Sequence, residues 1–137
     1  MRPFLWYNER NNRETAMKIL IVEDESALAI VLEEKLKKLD HDVRIAKDGD
    51  VALPLARSFM PSLMLLDLIL PKKDGFAVLK EMKADPELAA IPVIVLSNLG
   101  EDDNIKKALS LGAKDYFVKS QHPINEIVEK IEATHIA

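Results

Sequence analysis

The sequence contains no cysteine among its 137 residues. This absence excludes disulfide bonds, thiolate metal sites and cysteine nucleophiles. Glycine and proline are scarce as well, at four and seven residues, so a disordered or fibrous chain is not indicated. The apolar runs fall far short of the ~20 residues that a membrane-spanning helix needs, and no secretory h-region precedes them. We therefore expect a cytoplasmic protein with no membrane association.

The charge balance gives little support for nucleic acid as the main ligand. Nineteen basic residues stand against 23 acidic ones, a net charge of -4. With 48% hydrophobic and 31% charged residues, the composition is that of a globular protein, and the length suits one domain. The composition changes near residue 17, so we place the domain at residues 17–137. Residues 1–16 are expected to form a poorly ordered extension. The alternatives are a non-native leader, an upstream start, and an arm whose residues Phe4, Leu5, Trp6 and Tyr7 dock on the domain or on a partner.

Five apolar or alternating runs predict β-strands, and helical periods lie between and after them. The strands are predicted at residues 18–22, 43–46, 63–66, 93–96 and 116–118. A helix over residues 49–59 requires Pro54 to lie in its first turn, because proline cannot donate an interior hydrogen bond. Gly112 is expected to end the helix that precedes it. On the first helix, one face is predicted to carry the apolar residues Leu28, Val31, Leu32, Leu36 and Leu39.

The alternation of strands and helices predicts the fold class. Right-handed crossovers give an α/β fold, a doubly wound five-stranded parallel sheet with helices on both faces. Only the second strand alternates clearly, so we place it at an edge, because central parallel strands are apolar on both faces. The expected strand order is 2-1-3-4-5, the flavodoxin-like arrangement, in which ligands bind beyond the carboxyl ends of the first and third strands.

The stretch "LMLLDLILP" at residues 63–71 places one carboxylate, Asp67, among large apolar residues. An unpaired buried carboxylate is costly, so Asp67 is best placed where the strand ends. Glu23 and Asp24 end the first strand in the same way. Two unit charges ~5 Å apart at an effective dielectric of ~20 repel by roughly 3 kcal/mol. The three acids therefore need a cation, and Mg²⁺ suits a site built from oxygen ligands.

Two further polar residues end strands on the same side of the sheet. Ser97 closes the fourth strand and Lys119 closes the fifth. A hydroxyl donor and an ammonium beside an acidic metal cluster can hold a dianionic phosphoryl group. Because Asp67 is the only nucleophile in this set, the pattern predicts a site for phosphoryl transfer onto Asp67.

Four motifs, "ILIVEDE", "LLDLILPKKDG", "VIVLSN" and "DYFVKS", occur in this order along the chain. With them, residues 17–134 resemble the CheY-like receiver domain of two-component response regulators. The resemblance implies that Asp67 accepts a phosphoryl group from a phosphohistidine of a sensor histidine kinase or a phosphotransfer protein. It also implies a Mg²⁺ ion, with Mn²⁺ as a possible substitute, held by Glu23, Asp24, Asp67 and the backbone carbonyl of Ile69.

The resemblance assigns roles to the residues around the phosphoacceptor. Ser97 would bond one phosphoryl oxygen after rearrangement, and Lys119 would pair with another. Tyr116 would be the aromatic residue whose rotamer reports the active state, although plain packing at an edge strand accounts for it equally well. Pro71 and Gly75 match the loop that follows the phosphoacceptor in the family.

Four positions depart from the commonest pattern of that family. Asn98 follows Ser97 where a small alanine is common. Glu23 stands where aspartate is common, and its longer side chain changes its reach to the metal. Lys119 is followed by "SQHP" and not directly by proline, which predicts a longer loop and puts the usual cis peptide bond in doubt. Ile69 has an apolar side chain that cannot orient an attacking water, so we hypothesise a long-lived phosphoryl state.

The three histidines show no metal-ligand spacing, and we predict that all of them lie on the surface. They are His41, His122 and His135. The acid Glu25, next to the first cluster, is read mainly as a complement to the dipole of the following helix.

These patterns together predict a stand-alone receiver domain that is not an enzyme, beyond self-phosphorylation from small phosphodonors and self-dephosphorylation. The resemblance implies that its output is phosphorylation-dependent binding of a downstream protein through the fourth helix, fifth strand and fifth helix. We expect a monomer or a weak phosphorylation-linked dimer with no direct nucleic-acid binding.

Four alternatives stay open on the sequence. Two are close to the main prediction: an isolated receiver domain cut from a larger regulator, and a receiver-like interaction module that is never phosphorylated. A phosphatase of the haloacid dehalogenase type is disfavoured because it needs a second aspartate where this chain has Ile69. A flavodoxin-like or Rossmann nucleotide binder is disfavoured because the acids of "VEDESA" would repel a pyrophosphate.

Overall fold

Strands and helices alternate throughout residues 16–136, the part of the chain that the computed structural model describes. The strands are β1 (Lys18–Val22), β2 (Asp42–Ala46), β3 (Leu63–Leu66), β4 (Val93–Ser97) and β5 (Asp115–Val118). The helices are α1 (Ser26–Lys38), α2 (Gly49–Phe59), α3 (Gly75–Ala84), α4 (Asp102–Ser110) and α5 (Ile124–Ile136), with a 3₁₀ turn at Lys119–Gln121. All five predicted strands are confirmed to within one residue at each end. The extension predicted before residue 17 falls outside the described residues, apart from Ala16.

The strands form one parallel sheet in the order β2-β1-β3-β4-β5, which confirms the predicted order. β2 lies at an edge with alternating exposure, whereas β3 and β4 are buried at every position. Burial on both faces is the reason why central strands are continuously apolar. The register aligns Val22 with Leu66 and Leu66 with Val95, so the carboxyl ends of the three central strands lie together.

Helices cover both faces of the sheet, and each face has its own apolar core. Because successive strand residues point to opposite faces, Leu20 and Val22 pack with α2 and α3. Ile19 and Ile21 pack with α1 and α5 on the other side. Within the described residues, no helix has the length and apolar content needed to cross a bilayer.

The buried stripe of α1 differs from the predicted one. Ala29, Leu32 and Leu36 face the core, but Val31 is 36% exposed and Leu39 is 38% exposed. Val31 lies about 130° from the centre of this stripe at 100° per residue, which turns it towards the solvent side of the helix. Leu39 lies beyond the last residue of the helix, so helical spacing no longer governs its direction.

Helix α2 spans Gly49–Phe59 as predicted, but Pro54 lies in its interior and not in its first turn. The condition placed on this helix was therefore wrong. Pro54 lies on the exposed side of α2, where water can serve the carbonyl that loses its partner. Gly112 has φ of 109° directly after the end of α4, which confirms it as the residue that ends that helix.

Candidate functional site

Backbone hydrogen bonds bring the acidic residues together at the carboxyl end of the sheet. The N–H of Glu23 donates to the carbonyl of Ala46 at 2.9 Å, and the N–H of Asp67 donates to the carbonyl of Val22 at 3.0 Å. The parallel pairing thus continues one residue beyond β1 and β3. Glu23, Asp24 and Asp67 each place a carboxylate oxygen within 4.8 Å of the others. The structure therefore brings together the three acids that the sequence singled out.

Lys119 supplies the positive charge nearest to these acids. Its Nζ lies 2.8 Å from Oε1 of Glu23 and 2.9 Å from Oδ2 of Asp67, and a carboxylate oxygen of Glu25 is 3.5 Å away. Glu23 and Asp67 are only 3% and 5% exposed. Glu23, Asp24 and Asp67 carry three carboxylates, and Lys119 supplies one ammonium. The cluster therefore keeps an excess of negative charge even when Glu25 is not counted.

The protonation of this cluster follows from burial and from the contacts of Lys119. Burial raises the pKa of Glu23 above its ordinary value, while the hydrogen bond from Lys119 acts in the opposite direction. For Lys119, burial alone would lower the pKa. Hydrogen bonds to Glu23 and Asp67 outweigh that effect and raise the pKa of Lys119, so the ammonium stays charged.

Asp67 is held by a separate contact on each oxygen. Oδ2 accepts from Lys119, and Oδ1 accepts the N–H of Ile69 at 3.2 Å. The side chain of Ile69 is 54% exposed and carries no polar group. Gly75 lets α3 begin against this segment, because a Cβ at Gly75 would lie 2.3 Å from the backbone oxygen of Asp67.

Ser97 and Tyr116 lie at the neighbouring strand ends. Ser97 is fully buried, and its Oγ accepts the N–H of Leu99 at 3.4 Å. The hydroxyl of Tyr116 donates to the carbonyl of Leu99, so the ring is tied to the segment between β4 and α4. Burial raises the pKa of the Tyr116 phenol, and a hydrogen bond with Ser97 opposes this shift. These contacts link both residues to one loop beside the acids.

The donor set fits a hard divalent cation. All three clustered side chains offer carboxylate oxygens, and their repulsion is only partly relieved by Lys119. Magnesium and manganese prefer such oxygen ligands. Glu23, Asp24 and Asp67 are therefore the residues that could hold a metal ion here.

One sequence prediction about this region needs correction and another gains a second contact. Glu25 lies directly before α1, which agrees with its predicted part as a complement to the helix dipole. In addition, its N–H donates to Oε2 of Glu23 at 3.0 Å, and its side chain approaches Lys119. His41 was placed on the surface, yet it is 4% exposed. Its Nδ1 accepts the N–H of Met17 at 2.9 Å, and Nε2 contacts Glu132. Adjacency to Glu23 in "VEDES" was the available signal for Glu25, whereas nothing local marks His41.

The segment between β5 and α5 contains His122 and a short 3₁₀ turn. His122 is half-buried and contacts Glu126 at 2.8 Å, and the side chain of His135 falls outside the described part. The segment after Lys119 forms the 3₁₀ turn before Pro123, and residues 16–136 contain no cis peptide bond.

Comparison with known proteins points to one family. The response regulator receiver domain matches residues 19–132. The probable transcriptional regulator ycf27 of Guillardia theta is 38% identical over 120 residues, which cover 88% of this chain and 46% of ycf27. The response regulator Rcp1 of Synechocystis sp. is 37% identical, with 84% of this chain and 86% of Rcp1 covered. The chain thus spans about half the length of ycf27 and most of Rcp1.

Solved structures agree with these sequence matches. The Mn²⁺-bound form of Rcp1 superposes with a TM-score of 0.77 and 36% identity, covering 85% of this chain and 92% of Rcp1. The phosphorylated cyanobacterial phytochrome response regulator RcpA gives a TM-score of 0.78 at 36% identity, covering 89% of this chain and 95% of RcpA. In both comparisons the similarity extends over nearly the whole described sheet and its helices.

Proposed function

The chain belongs to the response regulator receiver domain family, and we propose that its Asp67 accepts a phosphoryl group from a phosphohistidine of a sensor histidine kinase or phosphotransfer protein. One observation carries the proposal. Asp67 is a buried carboxylate in an acidic cluster, with one oxygen on Lys119 and the other on the N–H of Ile69. A buried acid with surplus negative charge around it is costly to maintain and is typical of a functional site.

In the proposed transfer, an oxygen of Asp67 attacks the phosphorus atom. The new P–O bond forms as the P–N bond to the donor imidazole breaks, and that imidazole takes up a proton as it leaves. The product is an acyl phosphate. The Lys119 ammonium, 2.9 Å from Oδ2, is placed to pair with one phosphoryl oxygen, and the Ser97 hydroxyl can donate to another.

A divalent cation belongs to this proposal. Glu23 and Asp24, together with Asp67 and the carbonyl of Ile69, would hold Mg²⁺, for which Mn²⁺ can substitute. When bound, the ion would neutralise the carboxylates and the phosphoryl oxygens. Without it, the surplus charge of the cluster opposes the approach of a phosphoryl dianion.

We further propose that the chain is a phosphoacceptor and not an enzyme with a separate substrate, apart from self-phosphorylation and self-dephosphorylation. The exposed, apolar Ile69 supports a long-lived phosphoryl state, because its side chain cannot orient a water towards phosphorus. Loss of the phosphoryl group with a half-life of seconds in Mg²⁺ would contradict this part of the proposal.

The output is proposed to run through the face formed by α4, β5 and α5. Tyr116 ties β5 to the carbonyl of Leu99, and Ser97 contacts the same loop. A phosphoryl group that draws the Ser97 hydroxyl towards it would favour a second arrangement of this loop and of Tyr116. Such a shift needs only two preexisting states that bind phosphate unequally. A downstream protein, or a second copy of the chain bound weakly, would then recognise this face.

Intact-mass measurement with acetyl phosphate tests the proposal. In Mg²⁺ the wild type should gain one adduct of ~80 Da, the mass of a single phosphoryl group. EDTA and Asp67→Asn should each abolish the adduct. Asp74→Asn is the matched control, since Asp74 lies in the same loop and caps α3 through the N–H of Ala77, a bond that asparagine can also accept.

The alternatives separate cleanly in this experiment. No adduct in the wild type would favour the receiver-like module that is never phosphorylated. An adduct that persists in Asp67→Asn would place the phosphoryl group on another residue. Membership of the receiver family argues against the phosphatase and the nucleotide binder. A longer parent regulator stays possible, since the chain covers 46% of ycf27.

A further inference from the structure

Gly49, the first residue of α2, lies against the loop that follows the phosphoacceptor. A Cβ built at Gly49 would lie 1.8 Å from the carbonyl oxygen of Lys73 and 2.6 Å from its carbonyl carbon. Both are backbone atoms, so no change of side-chain rotamer could relieve the overlap. The close approach of α2 to this loop therefore requires glycine.

The loop contains a strained turn at the point of contact. Lys72 has φ of 70°, and the N–H of Lys73 donates to the carbonyl of Pro71 at 2.8 Å. A three-residue turn with positive φ at its central residue is rare, and lysine is not a residue that favours it. Such a conformation persists only where the surrounding structure holds it.

Helix α2 supplies the contacts that hold the turn. The N–H of Gly49 donates to the same Pro71 carbonyl at 3.2 Å. A carboxylate oxygen of Asp48 lies 3.5 Å from Nζ of Lys72. Asp48 is itself fixed, because it caps α2 by accepting the N–H of Val51 at 2.9 Å. The turn therefore contacts the N-terminal end of a regular helix, which fixes its position.

The turn is joined to Asp67 by a short stretch of chain. Ile69, whose N–H donates to Asp67, lies two residues before Pro71. At its far end the loop is closed by the N–H of Gly75, which donates to the carbonyl of Leu68 at 2.9 Å. Because the chain between the turn and Ile69 is short, a displacement of the turn would also displace Ile69.

We propose that Gly49 is a positioning residue: its contact with the turn at Lys72 keeps the loop after Asp67 in the shape that metal binding and phosphoryl transfer need. The proposal rests on the function proposed above for Asp67. Gly49 does not touch the reacting atoms and acts through the backbone of residues 71–73.

Two matched pairs of variants test this role. Gly49→Ala should displace the loop, whereas Gly100→Ala should not, because a Cβ at Gly100 meets Val118 at an ordinary 3.5 Å. Alanine is the better helix former, so a defect in Gly49→Ala cannot come from helix propensity. At the exposed Lys72, Lys72→Val opposes positive φ, whereas Lys72→Gly accepts it.

The readouts are the maximal rate of phosphoryl uptake, the acetyl phosphate concentration at half-maximal rate, and the Mg²⁺ dissociation constant. Gly49→Ala and Lys72→Val should lower the maximal rate by ~10-fold or more, in line with the effect of small misplacements on reaction rates. They should also weaken Mg²⁺ binding, with little change in the half-saturating donor concentration. Amide exchange of Gly49 should become faster in Lys72→Val. Gly100→Ala should match the wild type. Lys72→Gly keeps the turn but loses the exposed contact with Asp48, so it should stay much closer to the wild type than Lys72→Val does.

Several outcomes would overturn the inference. One is equal rates and equal Mg²⁺ affinities in Gly49→Ala and Gly100→Ala. If Gly49→Ala does not fold, equal values in Lys72→Val and Lys72→Gly would count against it in the same way. If the wild type takes up no phosphoryl group, the proposed function fails, and the Mg²⁺ affinities of the same variants still decide on Gly49.

Discussion

The two ends of the sheet accommodate buried polar groups in opposite ways. At the carboxyl end, Glu23 and Asp67 contact the ammonium of Lys119. Asp24 places a carboxylate oxygen within 4.8 Å of theirs, so negative charge is left over. At the amino end, the buried His41 has a partner for each ring nitrogen. Its Nδ1 accepts the N–H of Met17, which places the ring proton on Nε2, where it faces Glu132.

Lys83 shows the same closed arrangement near the amino end of β4. Its ammonium donates to the carbonyls of Ala89 and Ile91 at 3.0 and 2.9 Å. Burial lowers the pKa of Lys83. Its ammonium nevertheless has two backbone carbonyls as hydrogen-bond acceptors, and the two carbonyls gain a donor in return. Matched hydrogen bonds mark the amino end as structural, whereas surplus charge marks the carboxyl end as a place for a ligand.

The largest expected effect comes from removing the ammonium of Lys119, which contacts Glu23 and Asp67. Lys119→Met leaves Glu23 and Asp67 buried without their partner, and we expect a loss of about 3 kcal/mol in the free energy of unfolding. Because a metal ion can replace the missing charge, added Mg²⁺ should recover more stability in this variant than it adds to the wild type. Urea unfolding with and without Mg²⁺ measures both effects.

The control for this prediction is Lys114→Met, at an exposed position just before β5. Its free energy of unfolding should stay within ~0.5 kcal/mol of the wild type. Equal losses in the two variants would mean that the cluster does not depend on Lys119 for charge compensation.

A smaller effect is expected at the amino end. His41→Ala removes a buried ring that contacts Glu132 and leaves the N–H of Met17 unpaired, which should cost about 2 kcal/mol. His122→Ala is the matched comparison, because His122 contacts Glu126 from a half-buried position, and its removal should cost about 0.5 kcal/mol. Thermal unfolding of the two variants gives the difference, and similar losses would contradict a structural role of His41.

The smallest prediction concerns pH and Asp85, in the segment that leads to β4. A hydrogen bond from the N–H of Glu87, and secondarily the contact with Arg57, lowers the pKa of Asp85. A carboxyl group whose folded pKa is lowered contributes stability above its unfolded pKa and loses it as pH falls through the folded value. In Asp85→Asn, the free energy of unfolding should therefore decrease less steeply below about pH 4 than it does in the wild type. Identical acid unfolding curves for Asp85→Asn and the wild type would show that Asp85 does not contribute to the pH dependence of stability.

Much of the fold could be predicted from the sequence because it depends on local pattern. The strands "KILIV" and "LMLL" begin and end where their apolar runs do, and the edge position of β2 follows from its alternation. Pro54 shows the limit of local rules. Its place in the interior of α2 depends on solvent exposure, which the pattern around one proline does not give.

The acids of the site were predictable for the same reason, since each ends a parallel strand. Contacts between distant segments were not. His41 and Glu132 are 91 residues apart, and no local signal joins them. The contact of Gly49 with Lys73 likewise depends on how α2 meets a loop two elements away. Such contacts are set by tertiary packing.

The most direct test of the contrast between the two ends is a calorimetric titration of Mg²⁺ into the wild type, Asp67→Asn and Asp74→Asn. The account predicts one Mg²⁺ site in the wild type, unchanged binding in Asp74→Asn, and binding weakened by ~10-fold or more in Asp67→Asn, where a carboxylate ligand is lost. Equal affinity in all three proteins, or no binding to the wild type, would contradict the claim that the surplus charge at the carboxyl end is there to hold a cation.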